Sequence, residues 1–182
     1  MSTIYESCPS YEDDKIILTQ TSMEDANELL LCYSDETAVP FFNADNCHGD
    51  TFYYPTLERM KQAIEFWNQS YGWKYFVRWT VILKETKEKI GTIEMFQRGD
   101  SPQLGVHGVL RIDLRSTYET SNIIDPILKI ANDEFYEAFE VETIIIKAIP
   151  EATERVIALE KNGYVKLGEG DFLFPHYFSR KA

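Results

Sequence analysis

The chain has 182 residues, the length of one domain able to bury about 70% of the surface its unfolded form exposes. Its 18 basic and 30 acidic residues give a net charge of −12. That balance excludes a nucleic-acid partner, since phosphate contacts need Lys and Arg and the overall field repels a polyanion, whereas a cationic amine would be drawn in. No apolar run approaches the ~20 residues that span a membrane. The polar opening MSTIYESCPS lacks a signal-peptide core, so a cytoplasmic, membrane-free protein is expected. With no repeat and no Gly/Ser linker, residues 1–182 are read as a single domain. Cys8, Cys32 and Cys47 are odd in number and lack C-x-x-C spacing, which predicts free thiols.

Lys15 to Thr19 (KIILT) predicts a first strand. Thr21 or Ser22 then caps a helix with Glu24 and Asp25 in its first turn and Met23, Ala26, Leu29 and Leu30 on one face. After a polar and aromatic loop, a second helix starts near Pro55-Thr56 and carries Leu57, Met60, Ile64 and Trp67 at helical spacing. Tyr75–Leu83 and Lys89–Phe96 read as a hairpin across the charged stretch Lys84–Glu88, followed by a loop punctuated by Gly99, Pro102 and Gly105.

His107 to Leu114 alternates as a strand, with Val109, Arg111 and Asp113 on one face and Leu110, Ile112 and Leu114 on the other. Asp125-Pro126 predicts a helix start, Asp as cap and Pro at the first helical position. Val141–Ile149 is rich in β-branched residues and predicts a buried strand. Glu151–Lys161 forms a short helix stopped by Asn162-Gly163. Tyr164–Leu167 and Phe172–Phe178 supply the closing strands. A meander followed by βαβ units means an α/β fold, a mixed sheet of about six to seven strands with helices on both faces.

This order resembles that of the acetyltransferase (GNAT) family, and two stretches carry the likeness. Trp79–Phe96 (WTVILKETKEKIGTIEMF) is similar to the family's hairpin, and Pro150–Gly168 (PEATERVIALEKNGYVKLG) to its late helix and strand, where "leKlGF…G" is common. The resemblance spans about residues 15 to 175 and is closest to the branch that acetylates protein N-termini and small amines. It implies acetyl transfer from acetyl-CoA to a small-molecule or peptide amine, in a monomer or homodimer. The family's chemistry rests on a loop, Q/R-x-x-G-x-G/A, that turns backbone N–H groups toward the cofactor pyrophosphate at a helix N-terminus.

Here Glu119 stands where the family has Gln or Arg, Asn122 where it has the first glycine, and Ile124 where it has Gly or Ala. Leu114, Arg115, Thr120, Ser121, Asn122 and Ile123 are the corresponding cofactor-binding candidates. Asn tolerates a positive φ, so Asn122 is the mildest of these changes. Arg115 is a compensating charge, and Asp125-Pro126 would delay the helix and move its positive end away. The family often carries N-x-x-S ahead of the late element, where this chain has Ala152 and Arg155. It has Leu159 where some members use a tyrosine as the acid that protonates the leaving thiolate.

Attack of an amine on a thioester needs a proton acceptor and N–H groups that polarise the carbonyl. On the central strands Glu94, Asp113 and His107 are the candidates. The plainer alternative makes the two carboxylates solvated strand residues and His107 a surface residue. Phe41, Phe42, Phe52, Tyr53 and Tyr54 would line an acceptor pocket, or else anchor the loop by core packing. Asp45, Cys47, His48 and Asp50 cluster in sequence, but neighbours rarely converge on one ion, and no metal site is expected. The aromatic run from Phe66 to Trp79 is read mainly as core. Two functions stay open: an N-acyltransferase, or a GNAT-fold ligand-binding or interaction protein that has lost coenzyme A.

Overall fold

The computed structural model describes residues 3–182. Eight strands form one mixed sheet: β1 (Tyr11–Glu12), β2 (Ile16–Gln20), β3 (Val77–Leu83), β4 (Lys89–Ser101), β5 (Gly105–Leu114), β6 (Thr143–Lys147), β7 (Val165–Lys166) and β8 (Tyr177–Lys181). Their spatial order is β1-β2-β3-β4-β5-β6-β8-β7. Only β5 and β6 are parallel; every other neighbouring pair is antiparallel. The helices are α1 (Ala26–Tyr33), α2 (Leu57–Gly72), α3 (Ser121–Ala138) and α4 (Thr153–Lys161), with short 3-10 turns at Met23–Asp25, Val39–Phe41 and Ser116–Tyr118.

Strand alternation assigns the two faces of the sheet. Val77, Trp79 and Val81 of β3, Ile93 and Met95 of β4, and Leu110, Ile112 and Leu114 of β5 share a core with Ile124, Ile127, Ala131 and Phe135 of α3 and with Ala158 and Leu159 of α4. Trp79 stacks on Phe135 at 5.1 Å. The opposite face carries the even positions of β3 and β4 and the odd positions of β5. Above it, α1 and α2 close a second core built on Leu29, Tyr33, Met60, Ile64 and Trp67. Helices on both faces and the split of β5 into two sets match the sequence expectation.

Local signals explain the ends of these elements. Thr56 caps α2, its hydroxyl accepting from the Arg59 N–H at 3.2 Å. Ser22 and Asp25 meet at the entry to the first helix, where the Ser22 N–H donates to Asp25 Oδ2 at 3.0 Å. Gly163 ends α4 at φ +83°, the left-handed conformation expected of a glycine cap.

Four expectations are corrected. There are eight strands, because the two-residue β1, too short to leave a periodic trace, extends the sheet beyond β2. The stretch Gly99–Ser101 belongs to β4, and only Pro102–Leu104 turn before β5. The closing strand is Tyr177–Lys181, whereas 172–176 form bends that lay Phe172 and Phe174 over Val109, Ile145 and Tyr177.

The fourth concerns α3, which starts at Ser121 with Thr120 as cap, so Pro126 lies inside the helix. Lacking an N–H, it leaves the Asn122 carbonyl without its helical donor, a local cost that α3 absorbs. Asp125 caps nothing. Its carboxylate accepts from Asn162 Nδ2 at 2.9 Å and pairs with Lys129 at 3.0 Å.

Candidate active site

β5 and β6 are in register from His107 with Thr143 to Leu110 with Ile146. β6 then ends at Lys147 while β5 runs on to Leu114, so the carboxyl ends of the one parallel pair diverge. Ligands of open α/β sheets bind beyond the carboxyl ends of their parallel strands. The loop after β5 leads straight into α3, whose 18 residues aim unpaired N–H groups and a positive dipole end at the same place.

Carboxylates of the chain itself take up N–H groups here. The Ser121 N–H donates to Glu154 Oε2 at 3.0 Å, and the Ser116 N–H donates to Asp35 Oδ2 at 2.8 Å. Partial burial works against the charge on Asp35. Hydrogen bonds from the Ser116 side chain and from the N–H groups of Ser116, Thr37 and Ala38 nevertheless hold its pKa below the usual aspartate value. Glu154 is exposed.

Arg155 reaches β5 beyond the last parallel pair. Its Nη2 donates to the Ile112 carbonyl at 2.8 Å, and Nε and Nη2 grip the two oxygens of Glu119 at 2.7 and 2.8 Å. The side chains of Arg155 and Glu119 are only 1% and 7% exposed. Burial opposes the arginine's charge, but Glu119 keeps it protonated, with its pKa above the ordinary arginine value. The fork-to-fork geometry is the strongest form an ion pair takes.

The other cofactor-loop candidates fall out as follows. Leu114 is buried in the main core. The Arg115 N–H donates to the Ile90 carbonyl, and its guanidinium lies over the Tyr118 ring at 5.3 Å. The Thr120 carbonyl accepts from the N–H groups of Ile123 and Ile124. Asn122 is exposed in the first turn of α3 with ordinary helical backbone; no positive φ is used there. Ile123 is half-buried, and Ile124 is fully buried in the core.

On the α1 face two cross-strand rows are polar and buried. Arg78, Glu94 and Arg111 face one another across β3, β4 and β5, as do Thr80, Thr92 and Asp113. Arg78 pairs with one oxygen of Glu94, and Arg111 holds the other at 2.7 Å. Arg78 also reaches Thr92 at 2.8 Å and Asp113 at 3.2 Å, and its guanidinium lies 4.0 Å from the centre of the Trp67 ring. Tyr33 donates to Asp113 at 2.7 Å.

Burial raises the Asp113 pKa, opposed by Arg78 and by the Tyr33 hydrogen bond, and burial together with Asp113 pushes Tyr33 well up. Glu94 and Asp113 are therefore members of an internal ion network, not solvated strand residues. His107 is likewise buried, at the opposite end of β5 from the loop. Its Nδ1 lies against the Gly105 carbonyl at 3.0 Å and its ring edge against Phe172.

The loop between the helices closes on this network. The Asp45 carbonyl accepts from Arg111 Nη2 at 3.0 Å, and its carboxylate accepts from Lys147 and from the Tyr177 hydroxyl. Asp50 is taken by Tyr54 and Arg59, and Cys47 donates to the Asp45 carbonyl. Among the described residues no three His, Cys, Asp or Glu side chains converge in metal-binding geometry.

The proposed pocket aromatics divide: Phe42 and Tyr54 pack on Tyr33 in the second core, Phe41 is half-buried, and Tyr53 turns outward to Glu36. Phe52 is buried beside Tyr54. Of the aromatic run, Trp67 and Trp79 are core, whereas Phe66, Trp73 and Tyr75 are exposed. All three cysteines are free.

The deciding comparison is with protein families: residues 15–165 match the acetyltransferase (GNAT) domain. The chain belongs to the GNAT acetyltransferase family. In this domain the diverging pair β5 and β6 opens beside the loop into α3. Over 85 residues it is 28% identical to an uncharacterised N-acetyltransferase, YoaA, of Bacillus subtilis, a match covering 47% of this chain and 44% of that protein. The chain thus spans under half the length of that relative.

Among solved structures, a ribosomal-protein-S5-alanine acetyltransferase of Vibrio fischeri superposes with a TM-score of 0.70 at 19% identity, covering 95% of this chain and 96% of that one. A ribosomal L7/L12 α-N-protein acetyltransferase in complex with coenzyme A gives 0.69 at 10% identity, covering 95% and 98%. At these identities the structural likeness establishes the GNAT fold alone.

Sequence reasoning marked Glu119 and Arg155 separately as departures from the family pattern and did not pair them. Their signal was charge complementarity, since one position gained a negative charge and the other a positive one. Lys147 and Tyr177 of the loop-closing set left no readable signal, because a lone Lys and Tyr at strand positions look like any others.

Proposed function

We propose that the chain moves an acetyl group from acetyl-CoA to the amine of a small molecule or peptide. The observation that carries this is the loop from β5 into α3, the donor end in this reading, where the Ser121 N–H at the start of α3 already holds the Glu154 carboxylate. An anion site of this kind suits a pyrophosphate. The Ser121 N–H and the hydroxyls of Thr120 and Ser121 fit the pyrophosphate once exposed Glu154 turns aside, and the open edge of β5 fits the donor's arm once Arg155 leaves the Ile112 carbonyl.

The bound donor would supply an activated thioester; the rest is this chain's task. The acidic surface gathers cationic amines. The amine must lose a proton, and of the two network carboxylates Asp113 is our candidate to take it, since burial raises its proton affinity. Both oxygens of Glu94 are held by arginines and stay so. Tyr33 is the positioning residue for Asp113.

The test is release of free thiol from acetyl-CoA by the purified protein across a panel of amines and peptides, with calorimetric titration of acetyl-CoA. Turnover with any amine supports the reading, and Asp113→Asn should then lower kcat by about 100-fold with little change in KM for acetyl-CoA. An equal loss in both would deny Asp113 its role. The buried Glu119–Arg155 pair favours a second reading, a GNAT-fold interaction protein without a donor. Absence of binding at millimolar acetyl-CoA, in the wild type and in a Glu119→Gln, Arg155→Ser variant, would overturn the transferase reading and favour this one.

A further inference from the structure

Two adjacent residues in the first turn of α4 reach both halves of the donor end. Glu154 holds the Ser121 N–H at the start of α3, and Arg155 holds the Ile112 carbonyl on β5. Past the last parallel pair, Leu110 with Ile146, β6 no longer pairs with β5, so the β5 edge is where backbone groups are left to find other partners. A donor bound by its pyrophosphate at the loop would lay its arm along this edge to bring a thioester to the strand. The Arg155 guanidinium, 1% exposed, stands in that path, and Glu119 holds it there through two hydrogen bonds of 2.7 and 2.8 Å.

The pair is chemically specific. A slot that had only been filled in would be closed most cheaply with apolar side chains, because burying two charges costs more desolvation than their attraction returns. Here the ion pair satisfies itself and one strand carbonyl. Both partners occupy positions where the family carries uncharged or oppositely charged residues.

We infer that Arg155, anchored by Glu119, is an internal occupant of the pantetheine path that sets this protein's affinity for its donor. The arm pairs with β5 only in molecules whose Arg155 has withdrawn, so the measured affinity falls by the fraction in that state. This rests on the acetyl-CoA reading above. Glu154 acts separately, on the nucleotide half of the donor.

The experiment is calorimetry of the wild type and of a double variant, Glu119→Gln with Arg155→Ser. The double change installs residues the family carries and leaves no unpaired buried charge; circular dichroism checks its fold. Two titrants are used: acetyl-CoA, and the donor's phosphorylated ADP half, which lacks the arm.

The expected result is acetyl-CoA binding about 10- to 100-fold tighter in the double variant, with the ADP half unchanged. A gain shared equally by both titrants, or no gain for acetyl-CoA although both proteins bind it, would overturn the inference and leave the acetyl-CoA reading standing. Binding of neither titrant by either folded protein would overturn both. Arg155→Lys supplies the conservative control. A lysine cannot make the two-pronged contact, so its acetyl-CoA affinity should lie between the other two.

Discussion

Replacing Arg78 by alanine withdraws one cation from two buried carboxylates. Arg78 is 2% exposed and faces Glu94 and Asp113, themselves 2% and 4% exposed. Removing one partner of a buried ion pair costs about 3–5 kcal/mol, and the lost contact with the Trp67 face adds about 1–2 kcal/mol. Against a native stability of about 5–15 kcal/mol, this is a severe loss. At about 2 kcal/mol per molar urea, the unfolding midpoint should fall by roughly 2–3 M.

The pH dependence is a sharper check. Asp113 already has a raised pKa, by burial first, and Arg78 is what restrains it. A raised carboxylate contributes stability below the ordinary aspartate value of 3.8 and loses it as pH rises through the folded value. Without Arg78 the folded value climbs further, so the deficit of the variant should be largest at neutral pH and shrink on acidification. Urea unfolding followed by tryptophan fluorescence at several pH values measures this. A loss under about 1 kcal/mol, or a deficit that grows in acid, would refute the view that Arg78 neutralises a buried anionic pair.

Two further substitutions probe the donor end and its support. Gly91→Ala would place a Cβ 1.9 Å from the Asp113 carbonyl oxygen, a clash with backbone that can be relieved only by shifting β4 against β5. A loss of about 3 kcal/mol, seen as a melting temperature lower by roughly 6–12 °C, is expected; an unchanged melting curve would show that the strands yield easily. Asn122→Gly, which makes the loop look more like the family's, should leave acetyl-CoA affinity within about twofold and cost a few tenths of a kcal/mol, because residue 122 is already an ordinary helical position. A large gain in affinity would mean that the start of α3 is not helical in solution.

The parts of the fold that could be read in advance are those where local chemistry and periodicity agree. β5 was legible because its alternation is strict over His107–Leu114, and the ends of α2 and α4 because Thr56 and Gly163 act through their own geometry. The start of α3 was misread for an instructive reason. Asp-Pro is a strong local signal, but here Asp125 serves Asn162 and Lys129, so tertiary partners outweighed the cap rule. β1 is two residues long, too short to show a period, and the bends at 172–176 pack on Val109 and Ile145, which are distant in sequence.

The candidate site was legible position by position but not as an arrangement. Alternation put Arg111 and Asp113 on one face of β5, yet a polar face predicts solvent, and only the register that aligns Arg78, Glu94 and Arg111 reveals that it is covered and internally neutralised. Glu119 and Arg155 teach the same lesson at the donor end. Taken singly, a carboxylate beside a diphosphate and an arginine in place of a serine both read as damage to a binding loop. Taken together at 2.7 Å they are a closed and satisfied unit, in which each change relieves the burial cost of the other. A buried charge is severely penalised when alone and tolerated when paired, so the two changes are interdependent, and reverting one without the other should harm the fold more than reverting both.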